Sequence, residues 1–175
     1  PGVPTNTIPA RYVDRKDGEV IGEIELAYRF MKGRIVGITG SNGKTTTTTL
    51  IGELLKNAGI TTQVGGNIGT PLLSLAEGST DDTWTVVELS SFQLETIKEF
   101  RPNVALCLNV TPNHLDRYDS FTDYAAAKHR IFMNQTADDV AVLNADDDIT
   151  AAWESGLKAN VDLFSVKRDL EEGVF

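Results

Sequence analysis

Apolar and polar positions alternate in blocks along this chain. Ile35, Val36 and Ile38 make a short apolar run, the pattern of a buried strand. A turn of small residues, Thr39-Gly40-Ser41-Asn42-Gly43, then leads into Lys44–Asn57. There Leu50, Ile51, Leu54 and Leu55 recur at helical spacing, and Gly59 stands at a stop position. The alternation continues with a strand over Thr61–Val64, a tight loop over Gly65–Gly69, and a helix opened by Pro71 and reaching Ala76. Next come a strand over Thr83–Leu89, a helix over about Phe92–Phe100, and a nearly continuous apolar strand over Asn103–Asn109. A helix over Thr122–Asn134, a strand over Asp139–Leu143, a helix over Asp148–Gly156 and a strand over Val161–Val166 complete the series. Strand–helix alternation of this kind predicts a three-layer α/β domain with a mostly parallel sheet. Ligands of such sheets sit at the C-terminal ends of the strands. Upstream, Ile21, Ile24, Ala27, Tyr28 and Met31 predict a short amphipathic helix that Lys32-Gly33 ends. Residues 1–33 therefore read as the tail of a preceding domain plus a connector, and residues 34–175 as the α/β domain, incomplete at its C-terminal side.

Composition narrows this only in places. The 175 residues, 41% hydrophobic and 23% charged, suffice for one globular domain with a sizeable core. A net charge of −9 argues against a general nucleic-acid surface, though a nucleotide needs only a local cationic pocket. No apolar run approaches the ~18 residues of a membrane span. Pro1-Gly2-Val3-Pro4 has neither the basic start nor the apolar core of a signal peptide, and the missing initiator Met suggests a piece of a longer protein. The single cysteine, Cys107, lies inside an apolar run and reads as a buried thiol. A cytoplasmic setting is expected.

The chemistry gathers at predicted strand ends. Strand, glycine turn, Lys44-Thr45 and helix is the layout of a phosphate-binding loop. Glycines let main-chain amides converge on an anion, and a helix N-terminus adds unpaired N–H groups. Lys44 can reach the β- and γ-phosphates, and the Thr45 hydroxyl can sit on Mg2+. Position 38, where the commoner loop has its first glycine, is Ile38, so the spacing here is the shorter Gly40-x-x-Gly43-Lys44-Thr45. That spacing disfavours a GTPase or kinase, as does the lack of an Asn-Lys-x-Asp string. Glu88 ends its strand, where a carboxylate either helps hold Mg2+ or is solvated in a turn. Ser90, Ser91 and Gln93 follow, suited equally to ligand contacts and to a helix cap. His114 can be a ligand, a base or a structural residue. His129 reads as surface or packing, and Lys128 as an exposed lysine on a helix. Asn144-Ala145-Asp146-Asp147-Asp148 reads as a turn and helix cap.

Taken together, several strings resemble the Mur ligases, the ATP-dependent amide ligases of peptidoglycan precursor synthesis. They are residues 21–26, Gly37–Thr46, Gly65–Gly69, Glu88–Glu95 (Glu-Leu-Ser-Ser-Phe-Gln-Leu-Glu), Asn109–Tyr118, Ala127-Lys128 with Arg130-Ile131, and Asn144–Asp147. The Glu-Leu-Ser-Ser-Phe-Gln-Leu string is similar to that of the branch adding D-glutamate to UDP-N-acetylmuramoyl-L-alanine. The resemblance implies an acyl-phosphate mechanism in which ATP phosphorylates the substrate carboxylate. It implies that Gly40, Ser41, Asn42, Gly43, Lys44, Thr45 and Thr46 hold the ATP phosphates. Thr45 and Glu88 would bind one Mg2+, with His114 and a carbamylated Lys128 at a second Mg2+ site. Catalytic roles fall to Lys44, Glu88, His114 and Lys128, and Asn67, Ser90 and Gln93 would face the UDP-muramoyl substrate. A family of three-domain enzymes also implies that this stretch alone does not ligate, and that the full-length form is a monomer. The alternatives are a sister Mur or folylpolyglutamate-type ligase, and a nucleotide-binding remnant without activity.

Overall fold

A computed structural model of the chain describes residues 7–13, 18–112, 117–167, 169–170 and 173. His114 and the cluster Asp14–Asp17 lie outside the described residues. Six strands form one sheet: β1 (Arg34–Thr39), β2 (Thr62–Gly66), β3 (Trp84–Glu88), β4 (Val104–Cys107), β5 (Val140–Asn144) and β6 (Asn160–Phe164). Their order is β2-β3-β1-β4-β5-β6 and every pairing is parallel. After β1 the chain crosses toward β2 on one side, and after β4 toward β5 on the other. The crevice between the ends of β1 and β4 is thus where strand order reverses, the favoured ligand position of such sheets.

The helices are α1 (Ala10–Val13), α2 (Glu23–Tyr28), α3 (Lys44–Asn57), α4 (Leu72–Ala76), α5 (Ser91–Leu94), α6 (Phe121–His129) and α7 (Asp148–Ala151). They make the three layers that the alternation predicts. Val36, Ile38 and Val86 form one core, packed by Val64 and by Ile51 and Leu55 of α3. On the opposite face Ile35, Val87, Ala105, Cys107, Ala141 and Leu143 meet Ile24, Leu72, Leu94, Tyr124 and Ile131. Covered on both sides, β1 is buried from Ile35 to Thr39 and reads as an unbroken apolar run instead of an alternating one. Among the described residues no helix is long and apolar enough to cross a membrane.

Several helices are shorter than their periodicity suggests; the one expected over Asp148–Gly156 runs as α7 to Ala151, with a 3-10 turn at Glu154–Gly156. The helix expected over Phe92–Phe100 stops at Leu94. The buried carboxylate of Glu25 accepts the main-chain N–H groups of Lys98, Glu99 and Phe100. Those donors are then lost to a helical ladder, and Ile97 and Phe100 reach the core from a turn instead. The helix expected over Thr122–Asn134 runs as α6 to His129 and tightens into a 3-10 turn at Arg130–Phe132. The turn at Asn144–Asp148 is as read: the Asp147 carboxylate accepts the N–H groups of Ile149 and Thr150 and caps α7. His129 packs as expected, with its ring 4.9 Å from that of Trp153, and burial lowers its pKa.

Candidate nucleotide-phosphate site

The site is built at the switch between β1 and β4. Thr39 ends β1, and Gly40 turns with φ 148, packed so closely on β4's continuation that an added Cβ would lie 3.1 Å from Leu108 Cβ. Gly43, at φ 83, is the N-cap of α3, a left-handed conformation that favours glycine. The loop is pinned from the β4 side. Asn109 Oδ1 accepts the Asn42 N–H at 2.9 Å, Asn109 Nδ2 donates to Asn42 O at 3.1 Å, and Asn109 O accepts the Ser41 N–H at 2.9 Å. The Ser41 hydroxyl donates to Thr111 O at 3.0 Å, accepts the Thr111 N–H at 2.9 Å, and lies 3.0 Å from the Tyr124 hydroxyl. Asn42, Thr45 and Thr46 remain exposed around the start of the 14-residue helix α3. The arrangement leaves a glycine-rich turn and the positive end of a long helix open to an anion.

Parallel register carries Glu88 to this place. Glu88 pairs with Ile38 of β1 and Gly66 of β2, so it stands beside the start of the loop. Its carboxylate is 2% exposed and accepts the Thr45 hydroxyl at 2.8 Å and the Asn67 amide at 2.9 Å. The structure thus joins Thr45 of α3, Asn67 just after β2, and Glu88 of β3. Ser90 and Gln93 lie just beyond, where they cap α5 reciprocally: Ser90 Oγ accepts the Gln93 N–H and Gln93 Oε1 accepts the Ser90 N–H.

Lys128 corrects the reading of an exposed helix lysine. It is 2% exposed, with Nζ donating to Gly40 O at 2.8 Å and lying 4.7 Å from the centre of the Tyr124 ring. Helical spacing in a short, Ala-rich segment does not say which face is covered, and here α6 turns Lys128 inward onto the loop. Lys44 Nζ donates to the same Gly40 oxygen at 2.9 Å and to Ser41 O at 3.0 Å. Burial, above all, lowers the Lys128 pKa to about 8, and the charge of Lys44 adds to this. Two ammonium groups facing one carbonyl form the local cationic pocket that a net-acidic chain needs for a polyphosphate. Cys107 is buried as expected and its thiol is pushed up to about 12. Sequence reasoning gave no role to Asn109, Thr111 or Tyr124. An asparagine closing an apolar strand was the one local signal for the first of them.

The donor set fits Mg2+. This ion takes one or two carboxylates and completes its shell with phosphates and water, and Glu88 with Thr45 offers one carboxylate and one hydroxyl beside the loop. Among the described residues no group of three or more His, Cys, Asp or Glu could hold a metal by itself.

The Mur ligase middle domain model matches residues 38–172. The chain belongs to the Mur ligase family. It is 53% identical over 173 residues to a UDP-N-acetylmuramoylalanine--D-glutamate ligase of Solibacter usitatus, covering 99% of this chain and 39% of that protein. It is 55% identical over 174 residues to the protein of that name in Citrifermentans bemidjiense, covering 99% and 38%. The chain therefore spans about two fifths of the length of these relatives. Among solved structures it resembles the MurF ligase of Thermotoga maritima in complex with ADP, with a TM-score of 0.66, 26% identity, and coverage of 83% of this chain and 36% of that one. A MurF of Acinetobacter baumannii superposes with a TM-score of 0.62 at 25% identity, covering 84% and 33%.

Proposed function

We propose that the chain is the ATP-binding part of a ligase that joins D-glutamate to UDP-N-acetylmuramoyl-L-alanine. The observation that carries this is the convergence of Thr45 and Asn67 on Glu88 beside a phosphate loop onto which Lys44 and Lys128 both close. The substrate choice is supported by relatives of that name at 53–55% identity across the chain, against 21–26% for MurF and 2,6-diaminopimelate-adding structures.

A carboxylate is a poor electrophile with a poor leaving group. In the proposed reaction its oxygen bonds to the γ-phosphorus of ATP as the bond to ADP breaks. The D-glutamate amine then adds to the acyl carbon, loses a proton, and phosphate leaves. The main-chain amides of Gly40–Thr46 orient the phosphates, and Lys44 exchanges its bonds to Gly40 O and Ser41 O for phosphate oxygens. Glu88 and Thr45 would hold Mg2+, which supplies charge neutralisation at the phosphates. Asn67, Ser90 and Gln93 would meet the muramoyl substrate, with Asn67 also aligning Glu88. His114 and Lys128 would serve a second Mg2+ site. For Lys128 this requires a carbamate, because an ammonium repels a cation. The low pKa raises the share of free amine, whose nitrogen bonds to the carbon of CO2 with loss of a proton. A cytoplasmic, monomeric full-length ligase is part of the same reading.

The test is ligation by the protein extended to the length of its relatives, supplied with Mg-ATP, UDP-N-acetylmuramoyl-L-alanine and competing amino acids. Product with D-glutamate, absent in Lys44→Ala, is expected, and so is no product from residues 1–175 alone. Preference for another amino acid would assign a sister ligase. Incubation with 13C-bicarbonate should give a carbamate signal that Lys128→Met lacks; no signal in the wild type overturns the carbamate.

A further inference from the structure

Outside the nucleotide site, the carboxylate of Glu25 is heavily bonded. It is fully buried and takes four donors. The N–H of Lys98 reaches Oε2 at 2.8 Å, that of Glu99 lies between both oxygens at 3.1 and 3.0 Å, and that of Phe100 reaches Oε2 at 3.0 Å. Arg29 Nε adds a bond at 3.2 Å. The other side of the same main-chain stretch is held by α6 and the turn after it. Arg130 donates to Leu94 O and to Ile97 O, both at 2.8 Å. Asn134 Nδ2 donates to Lys98 O at 2.8 Å and to Phe100 O at 3.0 Å. Residues 94–100 are thus spliced between two helices. Their N–H groups face an anion on α2, and their carbonyls face a cation just past α6. The Ile97–Lys98 peptide joins the two sets directly, its carbonyl on Arg130 and its N–H on Glu25, and opposite charges at its two ends polarise it in one sense. Arg130 is two residues beyond Lys128, whose amine must lie at Gly40 O and over the Tyr124 ring to serve the site.

We propose that Glu25 is a positioning residue for Lys128, acting through the main chain of residues 94–100 and Arg130. This rests on the reading of Lys128 as part of the reaction centre. The anchor is an anion holding main-chain N–H groups, so charge and shape both matter: Gln can turn its one oxygen to those N–H groups, but it removes the charge and sets its amide hydrogens against Arg29. The phosphate loop is pinned separately, by Asn109 and Thr111, and does not depend on this splice.

The test uses the 175-residue chain labelled with 13C-lysine, comparing wild type, Glu25→Gln, Arg130→Lys and the double variant by NMR at fixed pH. The Tyr124 ring, its centre 4.7 Å from Lys128 Nζ, should displace the Lys128 side-chain methylene signal from those of the exposed lysines. Glu25→Gln and Arg130→Lys are each expected to move that signal at least halfway toward them, and to weaken Mg-ADP binding less than Lys44→Ala does. The double variant should move it no further than the larger single change, because both act through one connection. A folded Glu25→Gln or Arg130→Lys whose Lys128 signal stays at the wild-type position overturns the proposal, as does additive movement in the double variant. Should Glu25→Gln fail to fold, Arg130→Lys and Asn134→Ala report from the other side of the splice. The carbamate signal with 13C-bicarbonate is read separately: its absence in the wild type removes the catalytic reading of Lys128 without touching the positional result.

Discussion

Replacing Lys128 with Met removes a buried ammonium while keeping most of the side chain's length. In the folded chain the Lys128 pKa falls from 10.5 to about 8, chiefly through burial. Between those values the unfolded chain binds more protons than the folded one, so stability rises with pH. Below about pH 8 both states are protonated, and above about 10.5 both are neutral, so the slope is confined to that window. At about 1.4 kcal/mol per pH unit, the displacement corresponds to about 3 kcal/mol that burial of the charge costs at neutral pH. Lys128→Met should therefore be the more stable chain at pH 7 and lose about 3 kcal/mol of that advantage by pH 10.5. Urea unfolding of both proteins at several pH values, in bicarbonate-free and Mg-free buffer, measures the difference, and other titrating groups cancel between them. A difference that stays constant across the range would mean that Lys128 titrates alike in both states, and the argument from burial would fail.

Glu25→Ala leaves three main-chain N–H groups and Arg29 Nε without their acceptor and should cost about 3–5 kcal/mol in urea unfolding; a loss below about 1 kcal/mol would show that water replaces the carboxylate readily. Gly40→Ala places a Cβ at φ 148 against Leu108 and should lower stability by about 1–3 kcal/mol, with Mg-ADP binding weakened as well. Cys107, buried and with its thiol pushed up to about 12, should resist a thiol reagent at pH 8 until the chain is denatured, and fast labelling of folded protein would contradict that burial.

What could be read from the sequence was local. The strand, glycine turn and helix at 35–57 lie within one stretch, and the structure reproduces that order, with Lys44 opening α3. Glu88 was legible because a carboxylate closing an apolar strand of a parallel sheet must reach the ligand edge. Contacts across long separations were not legible. The end of α5 is set by Glu25, about seventy residues upstream, and no periodicity within Phe92–Phe100 encodes it. Lys128 looked exposed because its burial depends on Gly40, 88 residues away, whose carbonyl its amine meets. Asn109 and Thr111 were within quoted strings, yet their part in pinning Ser41 and Asn42 appears only when β4 lies beside β1.

The central claim is that residues 40–46 hold the phosphates of a nucleotide with Lys44 as their cation. Titration calorimetry of the 175-residue chain with Mg-ATP, beside Lys44→Ala, tests it most directly. Saturable binding weakened at least tenfold by the substitution, about 1.4 kcal/mol or more, is the result expected. Equal affinity in the two proteins, or no binding in either, would contradict it.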